Sequence, residues 1–207
     1  MLYYKEYITP STLLGVWKIE ETKEELLTSL IHKEWVSNIY SIKSESRILE
    51  ILSARLLIKE LTGEEKEILY NNTGKPYFAD NSSYISISHT KRFVAVAINK
   101  EKPIGLDIEQ ISDKIRRVQS RIIGPKEYVD ESHELVHLLL HWSAKEAMFK
   151  FLDADSIDFR EHLFVNKFVP QQSGIFTTME SRTDSQHRFT AYYKVEKEFV
   201  MVCLEEA

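Results

Sequence analysis

Apolar positions along the chain alternate in some stretches and recur every three or four residues in others, and this pattern predicts the elements. Residues 2–8 and 12–19 read as two strands around Thr9-Pro10-Ser11, a hairpin. Leu26, Leu27, Leu30 and Ile31 recur at helical spacing within the charged stretch Glu20 to Trp35 and predict a helix there. A longer helix is predicted from Ser44 to Leu61, with Ile48, Leu52 and Leu56 on its apolar side and Gly63 placed to end it. Asn71-Asn72-Thr73-Gly74-Lys75-Pro76 is turn chemistry. Residues 84–88 and 93–98 read as strands, the second more buried. A further strand covers Ile104 to Glu109, with Ile104, Leu106 and Ile108 on one face and Gly105, Asp107 and Glu109 on the other. Residues 112–121 read as helical and rich in arginine, and Gly124-Pro125 starts a short helix that contains Glu127. A strong helix follows from Ser132 to Leu152, with Leu135, Leu139, Trp142 and Phe149 as its buried stripe. The remainder reads as four strands, at 163–169, 174–180, 187–195 and 198–204.

Against this pattern a few polar residues stand out. Asp107 and Glu109 place two like charges on one strand face, and a positive group between them would relieve their repulsion. Hard carboxylate oxygens suit Mg²⁺; a solvated acidic edge is the plain alternative. Glu146 falls four residues after Trp142 and three before Phe149, in a slot of the stripe that should be apolar. A carboxylate there is costly unless it is paired or bound to a metal. Lys150, one turn on, is a candidate pair, and pairing and metal binding are compatible. Arg47, Arg55 and Lys59 lie near one side of the first long helix, either as a solvated stripe paired with Glu45 or Glu50 or as a ligand site. Lys75 is held on a stiff turn between Gly74 and Pro76.

Composition narrows the setting. The 207 residues, 43% hydrophobic and 29% charged, suit one ordinary domain or two small ones, with a boundary near residues 101 and 102. No run approaches a membrane span, and the first residues lack signal-peptide character, so a cytoplasmic protein without membrane attachment is expected. The single cysteine, Cys203, sits in an apolar run and reads as a core residue. A net charge of −5 argues against nucleic acid as a partner but leaves room for a local basic pocket. Zinc-ligand spacings, Walker loops, dinucleotide fingerprints and nucleophile elbows are absent.

Taken in order, Gly74-Lys75-Pro76-x-Phe78, Ser88-His89, Gly105-x-Asp107-Ile108-Glu109 and Trp142-x-x-Lys145-Glu146-Ala147-x-x-Lys150 resemble the 4′-phosphopantetheinyl transferases, in their longer single-chain form. The motifs span residues 74–150, and the basic helix before them is similar to the family's. The resemblance implies an α+β fold of two similar halves, 1–101 and 102–207, related by a pseudo-twofold axis, with coenzyme A in the cleft between them. It implies transfer of the 4′-phosphopantetheine arm of coenzyme A to a serine of an apo carrier protein, acyl, peptidyl or polyketide. Adenosine 3′,5′-bisphosphate is then released, and the enzyme is expected as a monomer. Carried onto this sequence, Asp107, Glu109 and Glu146 would hold Mg²⁺. Lys150 would neutralise or protonate the leaving phosphate. Lys75, Pro76, Ser88, His89 and Lys145 would contact coenzyme A, and Arg47 and Arg55 its 3′-phosphate. The base that deprotonates the carrier serine would be Glu146 or Glu127. Arg116, Arg117 and Arg121 are candidates for docking an acidic carrier.

The chain departs from the family's usual pattern at Ile85 and Ser86 before Ser-His, at Thr90 after it, and at Ile122-Ile123-Gly124-Pro125. Two other functions fit the same residues: a non-catalytic module that binds coenzyme A or a carrier, and a Mg²⁺-dependent hydrolase of small pyrophosphates.

Overall fold

Two long helices, each laid on an antiparallel sheet of its own, carry the architecture, which is α+β. The computed structural model describes residues 1–207, which form two units, Met1–Glu101 and Lys102–Ala207. No helix is long and apolar enough to cross a membrane.

In the first unit, β1 (Leu2–Tyr7) and β2 (Thr12–Lys18) form the expected hairpin. The helix expected from Glu20 to Trp35 is a single short one, α1 (Lys23–Thr28). Thr22 and Glu25 start it with a reciprocal capping box. It ends at Ser29, because the Glu65 carboxylate then captures the backbone N–H groups of Ile31 and His32 at 2.8 and 2.9 Å. Ile31, read as part of the apolar side, is 73% exposed. Residues Lys33–Ser41 continue as 3-10 turns.

Helix α2 (Glu45–Thr62) starts at Ser44, whose hydroxyl accepts from the Arg47 N–H, and stops at Gly63 in the left-handed conformation. Its Leu52, Leu57 and Ile58 are fully buried with Val94 and Val96. The turn at 71–75 proves to be the loop of a small hairpin, β3 (Ile68–Tyr70) with β4 (Pro76–Phe78). Strands of three residues are too short to show an alternation. Strands β5 (Tyr84–Thr90) and β6 (Phe93–Asn99) complete a sheet ordered β1-β2-β6-β5.

The second unit opens with β7 (Ile104–Gln110), followed by a 3-10 turn at Asp113–Arg117 and the one-turn helix α3 (Gln119–Ile122). No helix follows Gly124-Pro125. Glu127 turns inward there and accepts from the Gly124 N–H at 2.6 Å. After a 3-10 turn at Glu131–His133 comes α4 (Glu134–Leu152). Strands β8 (Leu163–Val165), β9 (Ser173–Glu180), β10 (Arg188–Val195) and β11 (Phe199–Glu206) join β7 in the order β7-β11-β10-β9-β8, every neighbour antiparallel.

Helix α4 packs across β7 and β11, with Leu138, Leu140, Ala144, Ala147 and Met148 fully buried among Val200, Val202 and Leu204. The buried surface is thus wider than the expected stripe and rotated from it. Phe149 is 42% exposed, and Leu135, Trp142 and Glu146 are half-buried at the margin. The expectation failed because α4 buries so much of its circumference that apolar spacing no longer singles out one face.

Gly105 shows how closely helix and strand meet. Any Cβ at this position would run into the backbone carbonyl of Ala147. The sequence motif places glycine here to admit the helix.

Candidate active site in the second unit

The alternation of β7 points Asp107 and Glu109 at α4, as the paired acidic face required. Asp107 is buried. Its Oδ1 accepts from Lys150 Nζ at 2.8 Å, and its Oδ2 from Ser143 Oγ at 2.8 Å. Lys150 also donates to the Leu106 carbonyl at 3.1 Å, which anchors its ammonium over the strand. Glu109 Oε1 accepts from the indole Nε1 of Trp142 at 2.7 Å. Burial, and then the neighbouring Asp107 charge, raise the Glu109 carboxyl above the ordinary glutamate range.

Glu146 lies on the same margin of α4 and has no hydrogen-bond partner. Burial pushes its pKa up to about 7, the Asp107 charge adds to the rise, and Lys150 opposes it. Three carboxylates thus share a half-buried region with one ammonium. No three His, Cys, Asp or Glu side chains converge into a ready-formed metal cage. Asp107 is already occupied by Lys150 and Ser143, and mutual repulsion favours separation of the acids. The donor set nonetheless suits a hard divalent cation: oxygen ligands, excess negative charge and one carboxylate with open oxygens.

Glu127 and Lys145 sit elsewhere in this unit. Lys145 is fully buried and donates to Glu127 Oε2 at 2.7 Å, to the Phe159 carbonyl at 2.9 Å and to the Ile122 carbonyl. Glu127 accepts further from the N–H of Val165 at 2.8 Å, and His141 Nδ1 lies 3.5 Å away. Despite its burial, these donors hold the Glu127 carboxyl below the ordinary range. The pair ties α4 to the segments around residues 122 and 159. Arg116 pairs with Glu134 and with Asp113, while Arg117 and Arg121 are exposed.

In the first unit, Arg47 and His89 come together: Arg47 Nη1 donates to His89 Nε2 at 2.7 Å. Lys75 is held on its turn by Asn71, whose Oδ1 accepts the Lys75 N–H at 2.8 Å. Pro76 begins β4, and Ser88 is buried on β5. Arg55 does not join Arg47. Eight residues at about 100° each leave the two about 80° apart around the helix. Arg55 is 8% exposed, and its Nη2 reaches the Ile68 carbonyl at 3.5 Å. Burial lowers its pKa. Lys59 is likewise engaged, with Glu65 and the Ser29 carbonyl.

Ser143 was not among the residues picked out from the sequence. Its only signal was a serine seven residues before Lys150, two helical turns away on the same side of α4.

Comparison with known proteins finds similarity over the second unit. Residues 103–203 match the 4′-phosphopantetheinyl transferase superfamily. The chain is 30% identical over 108 residues to the 4′-phosphopantetheinyl transferase gsp of Aneurinibacillus migulanus, which covers 49% of this chain and 45% of that protein. It is 34% identical over 86 residues to the 4′-phosphopantetheinyl transferase of Bacillus subtilis, 37% of each chain. A relative from Haemophilus influenzae is 28% identical over 168 residues, 70% of this chain and 66% of its own. The matches thus span less than half of the first two relatives. The second unit, which carries the paired carboxylates, is the part of the chain that is similar to the 4′-phosphopantetheinyl transferase superfamily.

Proposed function

We propose that the chain transfers the 4′-phosphopantetheine arm of coenzyme A to a serine of an apo carrier protein and releases adenosine 3′,5′-bisphosphate. The observation that supports this most is Asp107 and Glu109 on β7 facing Glu146 and Lys150 on α4. The reaction displaces the leaving group at the β-phosphorus of a pyrophosphate, so negative charge grows on the bridging oxygen and needs a positive neighbour. Mg²⁺, held by Asp107, Glu109 and Glu146, would supply charge to the pyrophosphate. Lys150 supplies a second positive group, on an ammonium anchored to the strand by Asp107 and the Leu106 carbonyl. Trp142 orients Glu109, and Ser143 orients Asp107. Of the two candidate bases, Glu146 has oxygens that no group of the chain occupies, and as a ligand of the ion it would act on the serine through a bound water. Glu127 has its oxygens taken by Lys145 and by backbone N–H groups. Lys75, Ser88 and Arg47 serve the phosphates of coenzyme A, while His89 accepts from Arg47 and helps to hold it.

Incubation with fluorescent coenzyme A, Mg²⁺ and a panel of apo acyl, peptidyl and polyketide carriers tests the reading. Labelling of at least one carrier is expected. No labelling of any would overturn it, and release of free phosphopantetheine without a carrier would indicate a hydrolase instead.

A further inference from the structure

Glu50 lies on α2 one turn beyond Arg47, and its side chain is 14% exposed. Its Oε2 accepts from Arg47 Nη1 at 3.1 Å and lies 3.4 Å from His89 Nδ1. Arginine can only donate, so the 2.7 Å contact from Arg47 Nη1 makes His89 Nε2 the acceptor and leaves the ring proton on Nδ1, facing Glu50. The three side chains therefore close a ring of contacts around one carboxylate oxygen.

That ring uses a single guanidinium nitrogen. Arg47 Nε and Nη2 make no bond within the chain, and the side chain is 48% exposed. These two nitrogens form a planar edge with parallel N–H groups, which matches two oxygens of a phosphate. A long arginine side chain normally loses considerable rotamer freedom on taking up such a geometry. Here the loss is already met in the folded chain.

We propose that Glu50 is a positioning residue. It locks Arg47 through Nη1 and His89 through Nδ1, so that the Nε–Nη2 edge of Arg47 is presented ready-made to a phosphate monoester. The inference rests on the proposed function and names a determinant of its nucleotide specificity: the 3′-phosphate is the one phosphate monoester of coenzyme A. Glu50 acts through Arg47 and touches no ligand itself.

Calorimetric titration of the full chain with coenzyme A and with 3′-dephospho-coenzyme A tests this. Loss of preorganisation in Glu50→Ala is expected to weaken coenzyme A binding about tenfold and leave dephospho-coenzyme A unchanged. Glu50→Gln keeps an acceptor for Arg47 and is expected to restore most of the discrimination, and it stands in if the alanine variant fails to fold. If Glu50 merely neutralised Arg47, its removal would tighten coenzyme A binding. Tighter or unchanged binding in Glu50→Ala, or an equal loss for both nucleotides, overturns the proposal. Failure of carrier labelling by a wild-type chain that discriminates between the two nucleotides would count against the transferase reading alone.

Discussion

Lys150 Nζ lies 2.8 Å from Asp107 Oδ1, so the helix that brings Glu146 to the acidic strand also brings that strand its cation. The contact joins β7 to α4 at the point where the negative charge is densest. A divalent ion bound there would relieve the same repulsion as Lys150 does.

Replacing Lys150 with methionine leaves Asp107 buried beside two other acids without its ammonium. The unfolding free energy is expected to fall by about 2 kcal/mol, and transfer by at least about a hundredfold. Added Mg²⁺ should raise the melting temperature of the variant more than that of the wild type. An equal rise in both would show that Lys150 and the ion do not share this charge.

Glu127 and Lys145 separate structure from chemistry. Lys145→Met leaves an uncompensated carboxylate in the interior and is expected to cost about 3–5 kcal/mol. In Lys145→Met/Glu127→Gln the charge is gone, and part of that loss should return. The folded double variant should retain kcat within a few-fold of the wild type. A folded double variant with no transfer activity would identify Glu127 as the base.

His137 supplies a pH dependence. Its ring is fully buried on α4, Nδ1 accepts the Asp130 N–H at 2.9 Å, and Phe168 packs edge-on against it. Burial, aided by the neighbouring His141, lowers its pKa to about 4. The unfolded chain then binds the proton more tightly than the folded one, so stability is lost as pH falls through the window from about 6.5 to 4. The loss approaches about 3 kcal/mol at the lower end. His137→Gln keeps an acceptor but cannot titrate. Its unfolding free energy should fall less steeply with pH in this window, and parallel slopes would contradict the assignment.

Gly105→Ala probes the seat of α4 on β7. The added methyl meets the backbone of Ala147, which cannot rotate away, and the expected cost is about 2–3 kcal/mol by thermal unfolding. Transfer should fall as well, since Ala147 adjoins Glu146. A neutral effect would mean that the helix shifts freely on the strand.

The longer strands of this chain were legible as alternating or continuous apolar runs of strand length, and α2 because Ser44 and Gly63 mark both its ends. Asp107 and Glu109 could be paired from their spacing alone, since side chains two apart on a strand share a face. Other features depend on tertiary contacts that spacing does not encode. Helix α1 ends early because Glu65, more than thirty residues on, captures its trailing backbone. The reason for Gly105 is tertiary as well, since it lets α4 approach the strand. Arg55 and Lys145 carry charges and would ordinarily be read as surface groups. Only the fold shows that Ile68, Glu127 and Phe159 supply their acceptors. Glu146 was found through its place among apolar residues. The structure moves it from a core stripe to a half-buried margin.

Phosphopantetheinyl transfer is proposed to depend on the β7 acids and the α4 acid acting together. Mass spectrometry of an apo carrier incubated with coenzyme A and Mg²⁺ tests it most directly, with the wild type beside Asp107→Ala and Glu146→Gln, each shown to be folded. The wild type should add the phosphopantetheine group to one carrier serine, and each variant should be slower by at least about a hundredfold. Full modification by either folded variant, or none by the wild type with any carrier, would contradict the account.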